Sequence, residues 1–132
     1  MQKTIILASN NKHKIKQFQA MLNNYKILTL DEIGFNEEIE ETGSTFLENA
    51  LIKAKTISEY LKSKGLEYDI IADDSGLCMP SLNGAPGIYS ARYSGDHDFK
   101  ANRDKLIIDL KGKDHRGYFN ATIVLRLQKN II

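Results

Sequence analysis

Two groups of residues in this sequence have the types and spacing that chemistry requires. Asp73 and Asp74 stand side by side in IIADDSGL, and Glu40 and Glu41 close the acidic run Glu37-Glu38-Ile39-Glu40-Glu41. Carboxylate oxygens are hard ligands, and one or two of them can hold Mg²⁺ while waters and phosphate oxygens complete its shell. Adjacent carboxylates at the end of a buried strand repel each other, a cost that a bound cation relieves. Glu37 and Glu38 read as a solvated acidic loop. The second group is Ser9-Asn10-Asn11-Lys12-His13-Lys14. Backbone N–H groups at a helix start, with Lys12 and Lys14 beside them, could hold phosphate oxygens. A lysine near the positive end of a helix is unfavourable by roughly 0.3–1 kcal/mol unless an anion offsets it. The run lacks P-loop glycine spacing, and a solvated Lys-rich helix surface accounts for the same residues. Asn49, Lys53 and Thr56 recur at helical spacing as a polar stripe from which Lys53 could reach a phosphate or simply face solvent. His13, His97 and His115 share no metal-ligand spacing, and Ser75 and Cys78 have no evident base partner, so zinc and acyl-enzyme chemistry fit poorly.

The elements that would position these groups alternate between strand and helix. Thr4 to Ala8 is a short apolar run, as for a strand buried on both faces of a parallel sheet, and it ends at Ser9-Asn10-Asn11. Ile15, Phe18, Met21 and Leu22 then give a helix one apolar face, closed by Asn23-Asn24. Tyr25 to Leu30 reads as a second strand. Thr45 and Glu48 have capping-box spacing before a helix whose apolar stripe is Phe46, Leu47, Ala50, Leu51, Ala54, Ile57 and Leu61. Asp69 to Ala72 reads as a buried strand, and Asp73-Asp74-Ser75-Gly76 as a polar turn at its carboxyl end, where ligands of open α/β sheets bind. NGAPGIYSARYSG, from Asn83 to Gly95, reads as an irregular loop. Asp98 caps an expected third helix with Phe99, Leu106, Ile107 and Leu110 on its buried side and Gly112 as its stop. Beyond it, Phe119, Ala121, Ile123, Leu125 and Leu127 alternate with Tyr118, Asn120, Thr122, Val124 and Arg126, the pattern of a half-buried antiparallel strand. Gln128-Lys129-Asn130 reads as a hairpin turn and Ile131-Ile132 as the start of a return strand, so a shortened carboxyl terminus and an open sheet edge are expected.

Composition narrows the class. At 132 residues and 42% hydrophobic content, the chain suits a single domain spanning residues 1–132. Its formal charge of +1 gives no global field toward nucleic acid or an acidic membrane, so phosphate binding must be local. The single cysteine, Cys78, excludes an internal disulfide and reads as a buried thiol in a reducing cytoplasm. The apolar run near the amino terminus is too short for a signal or membrane segment. A soluble, unexported, cytoplasmic protein is expected.

Four stretches, in order, resemble one enzyme family. ILASNNKHKIKQF, EETGSTFLENALIKA, IADDSGL and NGAPGIYSARYSG are similar to motifs of the inosine triphosphate or dITP/XTP pyrophosphatases. The resemblance implies a Mg²⁺-dependent hydrolase that converts ITP, dITP and XTP to the monophosphate and pyrophosphate. It also implies an elongated α/β fold, a central mixed sheet flanked by helices with a cleft between two lobes, and a homodimer. By the same resemblance Ser9, Asn10, Asn11, Lys12, His13, Lys14 and Lys53 bind the triphosphate and Ser75 touches substrate. Glu40 or Glu41, with Asp74, holds Mg²⁺, and Asp74 is the general base. Ser9-Asn10-Asn11 replaces the family's Thr-Gly-Asn, putting a bulkier residue where the backbone approaches phosphate. The family's later glycine-rich aromatic segment and Ser-His-Arg motif, which recognise the base, are absent from these residues. The implied chain is therefore the triphosphate and metal half of the enzyme; the rival readings are a non-catalytic remnant, a nucleotide-binding fragment or a module that dimerises through its last strand.

Overall fold

The computed structural model describes residues 3–95 and 98–127. Its centre is a four-stranded mixed sheet with the order β2-β1-β3-β4. Strand β1 (Lys3–Leu7) pairs in parallel with β2 (Tyr25–Leu28) on one side and β3 (Asp69–Cys78) on the other. Strand β4 (Tyr118–Arg126) runs antiparallel to β3 along its whole length, from Ile70 opposite Arg126 to Cys78 opposite Tyr118. The polar turn expected at Asp73-Asp74-Ser75-Gly76 is thus the middle of a ten-residue strand. Nine consecutive partners on β4 satisfy the backbone there, and that ladder outweighs the weak strand preference of Asp and Gly.

A helix covers each face beside β1 and β3. Helix α1 (Lys12–Met21) lays Phe18 against Ile5, Leu7, Ile27 and Ile71. Asn11 caps it, its side chain accepting from the amides of His13 and Lys14 at 3.0 and 3.2 Å. On the other face, α2 (Phe46–Ser63) buries Ala54, Ile57 and Leu61 against Ile6, Ala8, Ile70 and Ala72. Thr45 and Glu48 form the expected box, with the Thr45 hydroxyl accepting from the Glu48 amide and the Glu48 carboxylate reaching back to the Ser44 amide. The stripe is narrower than its sequence suggests, because Leu47 and Leu51 are exposed. After β2 the chain folds Leu30 and Phe35 into the α2 core. The Phe35 ring meets Tyr60 edge-on at 5.1 Å, and the Tyr60 hydroxyl donates to the Ile33 carbonyl.

The irregular loop expected from Asn83 to Gly95 is more ordered than its composition suggests: a 3₁₀ turn at Pro80–Leu82 precedes it and a second forms within it at Gly87–Arg92. Gly76 lets the second turn lie on β3: a Cβ there would stand 2.3 Å from the Gly87 carbonyl oxygen. Ser90 fastens the same contact, its hydroxyl accepting from the Leu77 amide and donating to the Gly87 carbonyl.

Helix α3 (Phe99–Asp109), capped by Asp98 as expected, contains no buried residue. Phe99 and Ile107, expected on its inner side, are exposed, and of that set only Leu110, the C-cap residue, is buried. Polar contacts attach it: Asn102 bridges Ser94 and Ala91, and Tyr93 donates to Asp109. Strand β4 is the half-buried antiparallel strand expected, with its polar set on the covered side. Asn120, Thr122 and Val124 are the half-buried positions, while Phe119, Ala121, Ile123, Leu125 and Leu127 are exposed. Cys78 is buried, as expected. The hairpin expected at residues 128–132, and His97, lie outside the described residues.

Candidate active site

The topology brings the two chemical groups of the sequence together. Strands β1 and β3 are parallel neighbours, so the Ser9-to-Lys14 turn after β1 lies beside the acidic centre of β3. Side chains alternate along β3, which directs Asp73 to the α1 face and Asp74 to the α2 face. Both are buried, at 6% exposure each. Lys14, from α1, pairs with Asp73 Oδ2 at 3.2 Å. Lys53, from α2, lies 2.5 Å from Glu41 Oε1 and 3.7 Å from Asp74 Oδ1, and donates to the Asp73 carbonyl at 3.0 Å.

Asn49 joins these parts. Its side chain is inaccessible to solvent; its oxygen accepts from the Gly43 amide at 2.8 Å and its NH₂ donates to Asp74 Oδ2 at 3.3 Å. Gly43 is required for that approach, since a Cβ would stand 2.6 Å from Glu48 Cβ and 2.7 Å from Asn49 Oδ1. The acidic loop is thereby fixed to α2, with Glu41 over the site. Arg92 holds it from the other side, with its guanidinium 3.6 Å from Glu41 Oε2 and donating to the Glu41 carbonyl. Asn49 was visible in the sequence only as part of a polar stripe, and Arg92 only as part of a glycine-rich loop. An asparagine exactly four residues before Lys53 on a buried helix face is the one sequence signal that points to the first; nothing local points to the second.

Burial raises the Asp74 carboxyl above its ordinary range; Lys53 opposes that shift, Glu41 adds to it, and Asn49 and Lys14 oppose it. A carboxylate so placed is a stronger base than one in water. Lys14, Lys53 and Arg92 are already matched by Asp73, Asp74 and Glu41. A bound triphosphate would therefore bring negative charge that this array does not balance. The donor set fits a divalent cation that meets the excess: Glu41 and Asp74 offer hard oxygens within reach of the same Lys53 ammonium, enough for an ion that takes its remaining ligands from water and phosphate. Among the described residues no three His, Cys, Asp or Glu side chains form a ready-made cage.

Comparison with known proteins decides the family. The sequence profile of the Ham1 family matches residues 5–132. The chain belongs to the Ham1 family. It is 43% identical to the dITP/XTP pyrophosphatase of Clostridium tetani, over 98% of this chain and 66% of that protein, and 46% identical to that of Campylobacter jejuni, over 92% and 62%. The Ham1 protein of Staphylococcus aureus superposes with a TM-score of 0.79 at 40% identity, covering 96% of this chain and 64% of that one. The Ham1 protein of Coxiella burnetii gives 0.76 at 39% identity, over 93% and 62%. The chain thus spans 62–66% of the length of the relatives it matches.

Within this Ham1 chain the expected residues separate into two sets. Lys14, Lys53, Glu41 and Asp74 converge, as does Asp73. Glu40 is exposed, and it is Glu41 that reaches Lys53 and Arg92. Asn10, Lys12 and His13 are exposed at the start of α1, and Asn11 spends its side chain on the cap. Ser9 accepts from the Asn11 amide at 3.0 Å. Ser75 is half-buried on β3, and alternation puts it on the face opposite Asp74.

Proposed function

We propose that this chain carries the triphosphate-cleaving site of a pyrophosphatase for non-standard purine nucleotides, converting dITP, ITP and XTP to the monophosphate and pyrophosphate. The observation that carries the reading is the buried Asp74 carboxylate, raised in basicity and set between Lys53, Glu41 and Asn49. The substrate class is taken from the relatives, which are named dITP/XTP pyrophosphatases.

In this reading Asp74 accepts the proton of a water that attacks the α-phosphorus. The bond from that phosphorus to the α,β-bridging oxygen breaks, and pyrophosphate leaves with the electron pair. Lys14 and Lys53 hold non-bridging oxygens and offset the charge that grows on them, while Ser9 to Lys14 supply amides and side chains to the triphosphate. Asn49 keeps Asp74 turned toward the site. Arg92 and Gly43 keep Glu41 over it. Mg²⁺, held by Glu41 and Asp74, would supply charge neutralisation and Lewis acidity. Ser75 contacts substrate, and the protein acts as a homodimer in the cytoplasm. Among the described residues no helix is long and apolar enough to cross a membrane.

The test is pyrophosphate release from dITP, XTP and dGTP by this chain and by Asp74→Asn, with Mg²⁺ and with excess chelator. We expect metal-dependent turnover that favours dITP and XTP, reduced about 10²–10⁴-fold by the substitution. Undiminished turnover in Asp74→Asn would remove Asp74 from its role. A folded chain with no turnover would defeat the proposal.

A further inference from the structure

The reaction just described gives no work to the side chain of Asp73, although it is a buried anion. Its Oδ2 meets Lys14 at 3.2 Å, and its Oδ1 is buried with no hydrogen-bond partner among the described residues. Its main-chain carbonyl accepts from Lys53 at 3.0 Å. The two lysines approach from opposite faces of the sheet, Lys14 on α1 and Lys53 on α2, and one residue of the strand between them binds both. A buried carboxylate with half its acceptors idle is a poor stabilising device, because desolvation offsets much of the attraction to its partner. Lys14 keeps N–H donors to spare after this contact, since an ammonium has three.

We infer that Asp73 is a positioning residue. It fixes Lys14 through its side chain and Lys53 through its main chain, so that the two ammonium groups stand at a set separation suited to one polyphosphate. The inference rests on the reading that both lysines bind the triphosphate.

Inorganic tripolyphosphate is the probe, since it carries the phosphates without a base. Its affinity is measured by calorimetry on the full chain and on Asp73→Asn, Lys14→Met and the double variant, with dITP turnover followed on the same samples and melting curves as a check on folding. Asp73→Asn is expected to weaken binding on the order of tenfold, and to add nothing once Lys14 is gone. Tighter binding by Asp73→Asn would overturn the inference, because that is what loss of a negative charge near an anion site does by itself. Equal losses in both backgrounds would overturn it as well, marking a general structural effect. If Asp73→Asn does not fold, Asp73→Glu, which keeps the charge but displaces it, is expected to weaken binding; unchanged affinity would count against the inference. Tripolyphosphate binding with the expected cycle but no dITP turnover would support the inference while defeating the proposed function. Turnover of dITP with no measurable tripolyphosphate binding would do the reverse.

Discussion

The centre of the sheet and its β4 side are built in different ways. Around β1 and β3 both faces are covered: Ile6, Leu7, Ile57, Leu61 and Ile70 are nearly inaccessible to solvent, and the charged residues of the site sit in mutual ion pairs. Around α3 and β4 the apolar side chains point outward. Phe99 is 81% exposed, Ile108 70% and Phe119 69%, and α3 is attached by the hydrogen bonds of Asn102 and by the one that Asp109 accepts from Tyr93 rather than by packing. The contrast shows that the candidate site is built mainly on the covered centre. Its carboxylates and lysines come from β3, α1, α2 and the loop fastened to α2, and only Arg92 reaches in from the segment that carries α3.

Substitutions should separate the two regions. The largest effect on folding belongs to Ile57→Ala, in the sealed α2 interface, expected to cost about 2–5 kcal/mol in urea unfolding. A loss near zero would mean that this core is not closed. Asn49→Ala comes next: it strands the Gly43 amide and one Asp74 oxygen in a buried place, at about 1–3 kcal/mol, and should lower turnover more than it lowers stability predicts. An unchanged kcat would remove Asn49 from the site.

The pH dependence of stability follows from Asp74. Its folded-state carboxyl is raised above 3.8, so the native state binds the proton more tightly than the unfolded chain does. Its contribution to stability is present below 3.8 and is lost as pH rises through the higher folded value. In metal-free solution Asp74→Asn should therefore flatten that part of the profile and melt no lower than the parent at neutral pH. A variant with the parent's slope would assign the slope to another group. The smallest effect is expected on the β4 side. Ile123→Thr, on the exposed face of β4, should change stability by within roughly 0.5 kcal/mol. A loss like that of Ile57→Ala would show that this face is covered in solution.

What could be read from the sequence follows the same division. Helix α2 announced itself through its cap and apolar period, and β1 through an uninterrupted apolar run, because local pattern and burial agree there. Strand β3 was legible only to Ala72. Its polar second half is held by β4, which lies some forty residues further on, and no local rule carries that pairing. The inner side of α3 was misjudged because helical period identifies an apolar side without saying what covers it, and the alternation of β4 left open which of its two sets is covered. Asp74, Lys53, Lys14 and the choice between two glutamates were legible as candidates. Asn49 and Arg92 became visible only when the fold brought residues 41, 49, 74 and 92 together.

The most direct test of the central claim is to let the chain hydrolyse dITP in ¹⁸O-labelled water with Mg²⁺ and to find the label by mass spectrometry. Attack at the α-phosphorus, aided by Asp74, predicts the label in the monophosphate and none in pyrophosphate. Label in pyrophosphate, or release of inorganic phosphate with a nucleoside diphosphate, would contradict the account.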